Sequence, residues 1–105
     1  MKEVTVNELK LMKENQEDFQ LIDVRESNEF AVCNLGGVLI PLSTLPTRVD
    51  EISRDKKIVI HCKAGGRSAQ AIHFLEQHHG FTNLYNLQGG ILAWAKQIDP
   101  SMPTY

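Results

Sequence analysis

Long hydrophobic runs are missing from this 105-residue chain. Apolar stretches such as Val38-Leu39-Ile40 are far too short to span a bilayer, which excludes a membrane-spanning helix. Met1-Lys2-Glu3-Val4 opens no apolar segment of the kind a secretory signal requires. An excess of positive charge is missing as well: 11 Lys and Arg stand against 13 Asp and Glu, for a net charge of −2. Nucleic-acid binding by counterion release needs clustered cations, so that class is disfavoured. Cysteine is scarce, with only Cys33 and Cys62. In a chain that reads as cytoplasmic, two cysteines argue against a disulfide framework and direct attention to a reactive thiol. No repeat, low-complexity tract or Pro/Gly/Ser linker divides the sequence, so residues 1–105 read as one domain. At 42% apolar and 23% charged it has an ordinary globular composition, long enough to bury one core without staples.

Short apolar runs alternate with helical patterns from end to end, which predicts an α/β fold. Thr5-Val6-Asn7-Glu8 has capping-box spacing, with Val6, Leu9 and Met12 on one face of a first helix. Phe19 to Val24 reads as a strand buried on both faces. Ser27 is placed to cap a short helix ending near Gly36-Gly37, and Val38-Leu39-Ile40 is a short strand stopped by Pro41. The spacing of Leu45, Val49 and Ile52 predicts another helix. Lys57 to His61 is a strand, Cys62 to Gly66 a loop, and Arg67 to His79 a helix burying Ala69, Ile72 and Leu75. Gly80 is its left-handed stop, and Phe81 makes the accompanying apolar contact. Leu84 to Leu87 is a last strand, and Gly89-Gly90 leads into a helix with Ile91, Ala95 and Ile98 inward. A mostly parallel central sheet with helices on both faces assembles these pieces.

In open parallel sheets ligands bind beyond the carboxyl ends of the strands, and Cys62 occupies that place. Gly65 and Gly66 let the backbone turn so that successive N–H groups converge, and the following helix adds its positive end. Lys63 and Arg67 bring two further positive charges. Each contribution favours thiolate over thiol, which makes Cys62 the candidate nucleophile in an anion-binding cradle. The alternative, a small buried hydrophobe, leaves the glycines and cations unexplained.

His61-Cys62-Lys63-Ala64-Gly65-Gly66-Arg67-Ser68 resembles the loops of two cysteine-enzyme families. Tyrosine phosphatases place five residues between Cys and Arg; here four intervene, as in the rhodanese family of sulfurtransferases. The longer loop encloses a tetrahedral phosphate or arsenate, and the shorter one a single extra sulfur. Leu21 to Glu26 with Glu29-Phe30, Gly36 to Leu42, and Leu87 to Trp94 are similar to the amino-terminal, central and carboxyl-terminal rhodanese signatures, in the right order. Asn34 and Cys33 stand where the family usually carries His and Gly. Asp99 to Tyr105 resembles the end of rhodanese domains fused behind adenylating enzymes that activate sulfur carriers.

The resemblance implies a single rhodanese-like domain that moves sulfane sulfur from a donor such as thiosulfate. Cys62 would carry the sulfur as a persulfide, and Lys63, Ala64, Gly65, Gly66, Arg67 and Ser68 would line the binding loop. A small thiol, cyanide or a sulfur-carrier protein would accept it, with no metal or organic cofactor. A sulfur-relay module shares this chemistry and differs only in its acceptor. A phosphatase or arsenate reductase on the same fold is disfavoured by the loop count. Asp23 and Arg25 end a strand on the same edge; they read as scaffold, with Arg25 paired to Glu26 or Glu29 and Asp23 accepting loop N–H groups. His61 is aimed away from Cys62 by strand alternation and reads as structural. Cys33 reads as packed or half exposed, a resolving thiol only if it reaches Cys62. His78 and His79 suit the negative end of their helix rather than a metal, and Phe74 and Trp94 read as core.

Overall fold

The computed structural model describes all of residues 1–105. Elements follow in the order β1 (Glu3–Val4), α1 (Val6–Glu14), β2 (Phe19–Asp23), α2 (Ser27–Val32) and β3 (Val38–Leu39). Then come 3₁₀ turns at Leu42–Thr47 and Val49–Glu51, β4 (Lys57–His61), α3 (Gly66–His79), β5 (Leu84–Leu87) and α4 (Gly90–Gln97). All five strands are parallel, in the order β1-β5-β4-β2-β3. No helix is long and apolar enough to cross a membrane.

Strand alternation divides the core into two clusters, one on each face of the sheet. Ile22, Ile58, Ile60 and Cys62 pack with Ala71, Ile72 and Leu75 of α3 and with Leu45, Ile52 and Phe81. Leu21, Val59 and Leu87 pack on the other side with Val6, Leu9 and Met12 of α1, Ile91 and Trp94 of α4, and Cys33. The register pairs Asp23 with His61 and Ile60 with Asn86, which aligns the carboxyl ends of β2, β4 and β5 along one edge.

The capping box forms at α1: the Glu8 N–H donates to Thr5 Oγ1 at 3.1 Å, and the Thr5 N–H to Glu8 Oε1 at 2.9 Å. Gly80 is left-handed at φ 67°, and the Phe81 N–H donates to the Leu75 carbonyl while its ring is buried. Other expectations are corrected. The helix expected through Leu45, Val49 and Ile52 is two 3₁₀ segments, because Pro46 inside the run denies an α-helix one donor. Ser27 is the first residue of α2, not its cap; Glu26 takes the cap position, its N–H donating to Glu29 Oε1. That helix ends at Val32, short of Gly36-Gly37. The helix after the cysteine loop begins one residue early, at Gly66, and buries Ser68 and Ala71 while Ala69 is only half-buried. Phe74 and Ile98 are likewise half-buried at the edges of the core. β1, two residues long, pairs with β5 and was not expected from pattern.

Candidate active site

Cys62 follows the last residue of β4, and its Sγ receives the N–H of Gly65 at 3.1 Å and the N–H of Ser68 at 3.4 Å. The Ser68 hydroxyl lies 3.4 Å from the same sulfur. The loop takes this shape because its carbonyls are engaged elsewhere. The Cys62 and Lys63 carbonyls accept the N–H groups of Ile91 and Leu92 at 3.0 and 3.1 Å, so the first turn of α4 finds its partners in the loop. With these carbonyls turned toward α4, N–H groups further along the loop face the sulfur. Two glycines permit it. Gly65 sits at φ 118°, and Gly90 at φ 63°, where a Cβ would run into the Lys63 carbonyl. Gly66 has no such φ and no neighbour within 4 Å of a Cβ, so only one of the two loop glycines is needed for the turn.

Burial pushes the Cys62 thiol up, since its residue is 1% exposed. Hydrogen bonds from the Ser68 hydroxyl and from the N–H groups of Ser68, Gly65 and Ala64 outweigh it, and the thiol stays below its ordinary range. The expected cations act differently. No hydrogen bond joins Lys63 or Arg67 to Sγ. Arg67 gives both guanidinium ends to Glu29 at 2.6 and 2.9 Å, which brings the Glu29 carboxyl down to about 2 and raises Arg67 further. Lys63 Nζ lies 4.5 Å from the centre of the Tyr105 ring. The Tyr105 hydroxyl donates to Glu29 Oε2 at 2.8 Å and accepts from Arg25 Nη1 at 2.9 Å.

Asp23 and Arg25 are fully buried and bonded to each other, Nε to Oδ1 at 2.9 Å and Nη2 to Oδ2 at 2.7 Å. This replaces the expected pairing of Arg25 with the side chains of Glu26 or Glu29. Asp23 does accept a loop N–H, that of Arg25 itself. Arg25 Nη2 also reaches the Cys33 carbonyl at 2.7 Å, which ties α2 to the sheet edge. Neither residue bonds to Cys62. His61 is buried on the side away from Sγ, its Nδ1 3.3 Å from the Cys62 carbonyl and its Nε2 3.7 Å from Asp23 Oδ2. Burial lowers its pKa and keeps the ring neutral at pH 7. Cys33 is buried in the cluster opposite that of Cys62, with its sulfur 4.0 Å from Arg25 Nη1, so the geometry does not join the two thiols. Asn34 closes the turn after α2, accepting the Gly36 N–H at 2.9 Å. No three His, Cys, Asp or Glu side chains converge as metal ligands would.

Asn86 and Tyr105 belong to this neighbourhood without having been expected there. The signal for Asn86 was a polar residue at an inward position of an otherwise apolar strand, Leu84-Tyr85-Asn86-Leu87. Tyr105 gave none, since its position over the loop depends on the path of residues 98–104. The two open surface clefts lie elsewhere, one beside α4 with Leu92, Lys96 and Met102, the other at Lys13 and Val38. A nearly closed sulfur ringed by donors suits transfer of one atom better than enclosure of a bulky group.

A family model described as the rhodanese-like domain matches residues 5–97. The chain belongs to the rhodanese-like family. A protein of Allochromatium vinosum named sulfurtransferase is 41% identical over 81 residues, covering 76% of this chain and 75% of its own length. The probable adenylyltransferase/sulfurtransferase MoeZ of Mycobacterium tuberculosis is 36% identical over 105 residues, 97% of this chain, which spans only 26% of that relative. The crystal structure of a rhodanese-like domain protein from Staphylococcus aureus superposes with a TM-score of 0.82 at 33% identity, covering 90% of this chain and 91% of that one. The five-stranded parallel sheet described above is thus the rhodanese-like fold.

Proposed function

We propose that residues 1–105 act as one rhodanese-like sulfurtransferase unit and that Cys62 is its nucleophile. The Cys62 thiolate attacks the outer sulfur of a donor such as thiosulfate. The donor S–S bond breaks, sulfite leaves with the electron pair, and a Cys62 persulfide remains with its negative charge on the outer sulfur. An acceptor nucleophile then attacks that outer sulfur and returns Cys62 as thiolate, a two-step scheme that gives ping-pong kinetics. The observation that supports this reading is the tight ring at Sγ: two N–H groups within 3.4 Å on a loop with four residues between Cys62 and Arg67. Lys63, Ala64, Gly65, Gly66, Arg67 and Ser68 form the walls of the donor site, and Asp23 with Arg25 holds the neighbouring sheet edge. Two unpaired thiols suit a reducing compartment such as the cytoplasm.

A sulfur-relay role, with a carrier protein in place of a small thiol or cyanide as acceptor, is the second reading. It is favoured by similarity along 97% of the chain to a relative named as both adenylyltransferase and sulfurtransferase. Intact-mass spectrometry after exposure to thiosulfate tests the common step. The expected result is the gain of one sulfur on the wild type and on Cys33→Ser, and none on Cys62→Ser. Sulfur gained by Cys62→Ser would overturn the assignment of the nucleophile.

A further inference from the structure

Ser68 has one hydroxyl proton and three neighbouring acceptors: Asn86 Oδ1 at 2.6 Å, the Gly65 carbonyl at 3.2 Å and Cys62 Sγ at 3.4 Å. The shortest of these is the bond to Asn86. The orientation of the Asn86 amide follows from its other end. Its Nδ2 lies 3.2 Å from the Gly65 carbonyl and 3.7 Å from Met1 Sδ, both acceptors, so a flipped amide would set oxygen against oxygen at Gly65. Asn86 is 5% exposed and Ser68 fully buried, so water does not supply substitutes.

We propose that Asn86 is a positioning residue that holds the Ser68 proton away from Cys62 Sγ while the sulfur is a thiol and yields it when the sulfur ionises. In the resting thiol the Cys62 S–H donates to Ser68 Oγ, and the Ser68 O–H donates to Asn86. On ionisation the hydroxyl turns to Sγ, and Asn86 Oδ1 loses its donor. When Sγ bears an outer sulfur, the charge moves out to that atom and the hydroxyl returns to Asn86. Asn86 thereby opposes the thiolate and favours the sulfur-loaded state, in which Sγ no longer needs the proton. The charged groups near the site are Lys63 of the loop under Tyr105, Arg67 of α3 held by Glu29 of α2, the Asp23–Arg25 pair, and the α-amine of Met1, a residue whose Sδ lies beside Asn86. None bonds to Sγ, Ser68 Oγ or Asn86, and His61 lies on the other side of the strand and is neutral at pH 7.

The proposal rests on Cys62 being the nucleophile, but its test reads ionisation, so a protein that transfers no sulfur would still give an answer. Thiolate ultraviolet absorbance is titrated, with Cys62→Ser subtracting Cys33, and a melt accompanies each variant. Asn86→Ala frees the hydroxyl for the thiolate, and the Cys62 midpoint is expected to fall by about one unit, a tenfold gain in thiolate below the midpoint. In a Ser68→Ala background the same change is expected to leave the midpoint unmoved. Asn86→Leu removes the acceptor while keeping most of the side-chain volume and is expected to lower the midpoint in the same way, which provides a readable variant should the alanine fail to fold. A purely structural Asn86, acting only through the Gly65 carbonyl, would raise the midpoint and do so equally in both backgrounds. Either that pattern, or a midpoint that Asn86→Leu leaves unmoved or raises, overturns the proposal.

Discussion

Arg67 is held by Glu29 through two hydrogen bonds of 2.6 and 2.9 Å, and no bond from it reaches the Cys62 sulfur. A cation adjoining the cysteine loop is therefore largely matched by an anion from α2. The groups that favour the thiolate are neutral dipoles, the N–H groups of Gly65 and Ser68 and the Ser68 hydroxyl. The two N–H groups are fixed by the backbone and need no reorganisation when charge appears on sulfur, whereas the hydroxyl turns to it from Asn86.

This division of labour gives two variants with opposite signs. Arg67→Ala leaves Glu29 ionised at pH 7 and removes one positive charge beside the donor site. The KM for thiosulfate is expected to rise about fivefold, the equivalent of about 1 kcal/mol for a solvent-screened charge, with kcat little changed. Glu29→Gln releases Arg67 and is expected to lower KM. Steady-state kinetics in low salt measures both, and a shift of the two variants in the same direction would show that the pair acts through structure rather than charge.

Ser68 sets a pH dependence. A thiol held below its ordinary range makes kcat/KM rise with pH through that lowered value and then level off. Ser68→Ala removes a hydroxyl donor to the charged form, so the rise is expected about one unit higher. Activity should be lost about tenfold on the acid side and scarcely at all at alkaline pH. A uniform loss across the pH range would mean that Ser68 contributes packing and not ionisation.

The strand–loop–helix unit around Cys62 was legible because every signal in it is local. β4 is a continuous apolar run, Gly80 stops α3, and the cysteine falls between them. The capping box at Thr5 and Glu8 is local in the same sense. What escaped depends on contacts distant in sequence or on turn chemistry. The Glu29–Arg67 pair and the Tyr105 contacts join segments that only the fold brings together. Arg25 was expected to pair with a glutamate, yet the strand geometry sets Asp23 within reach, and a fully buried guanidinium takes the partner buried with it. The 3.6-residue spacing of Leu45, Val49 and Ile52 was real as a pattern of contact with the core. Pro46 decided the backbone.

His61 predicts how the fold responds to acid. Its folded pKa is depressed by burial, so the unfolded chain binds a proton near pH 6.5 that the folded chain refuses. Its contribution to stability is complete above that pH and is lost as pH falls below it, at a slope approaching about 1.4 kcal/mol per unit. Denaturant melts between about pH 7 and 5 should show a shallower decline for His61→Gln than for the wild type, whatever the offset between the two. Parallel declines would mean that the ring accepts its proton without unfolding, with Asp23 Oδ2 at 3.7 Å as the compensating charge.

Gly66 and Gly90 separate the needs of the fold from those of the site. At Gly90 the backbone is left-handed, and a methyl group would collide with the Lys63 carbonyl and the Ala64 nitrogen. Gly90→Ala must therefore displace the loop or α4, and is expected to cost about 1–3 kcal/mol and to raise the Cys62 pKa as the ring of donors opens. Gly66 is the first residue of α3, has ordinary φ, and would place its methyl in open space, at a position that lies in sequence between Gly65 and Ser68, the two residues whose N–H groups face the sulfur. Alanine suits a helical position at least as well as glycine, so Gly66→Ala should leave the melt unchanged or raise it by up to about 1 kcal/mol. Sulfur transfer is nevertheless expected to weaken, through KM for the donor, because the methyl narrows the approach to a sulfur already 1% exposed. Unaltered KM in a well-folded Gly66→Ala would place the donor's path on the other side of the loop, between Lys63 and Tyr105.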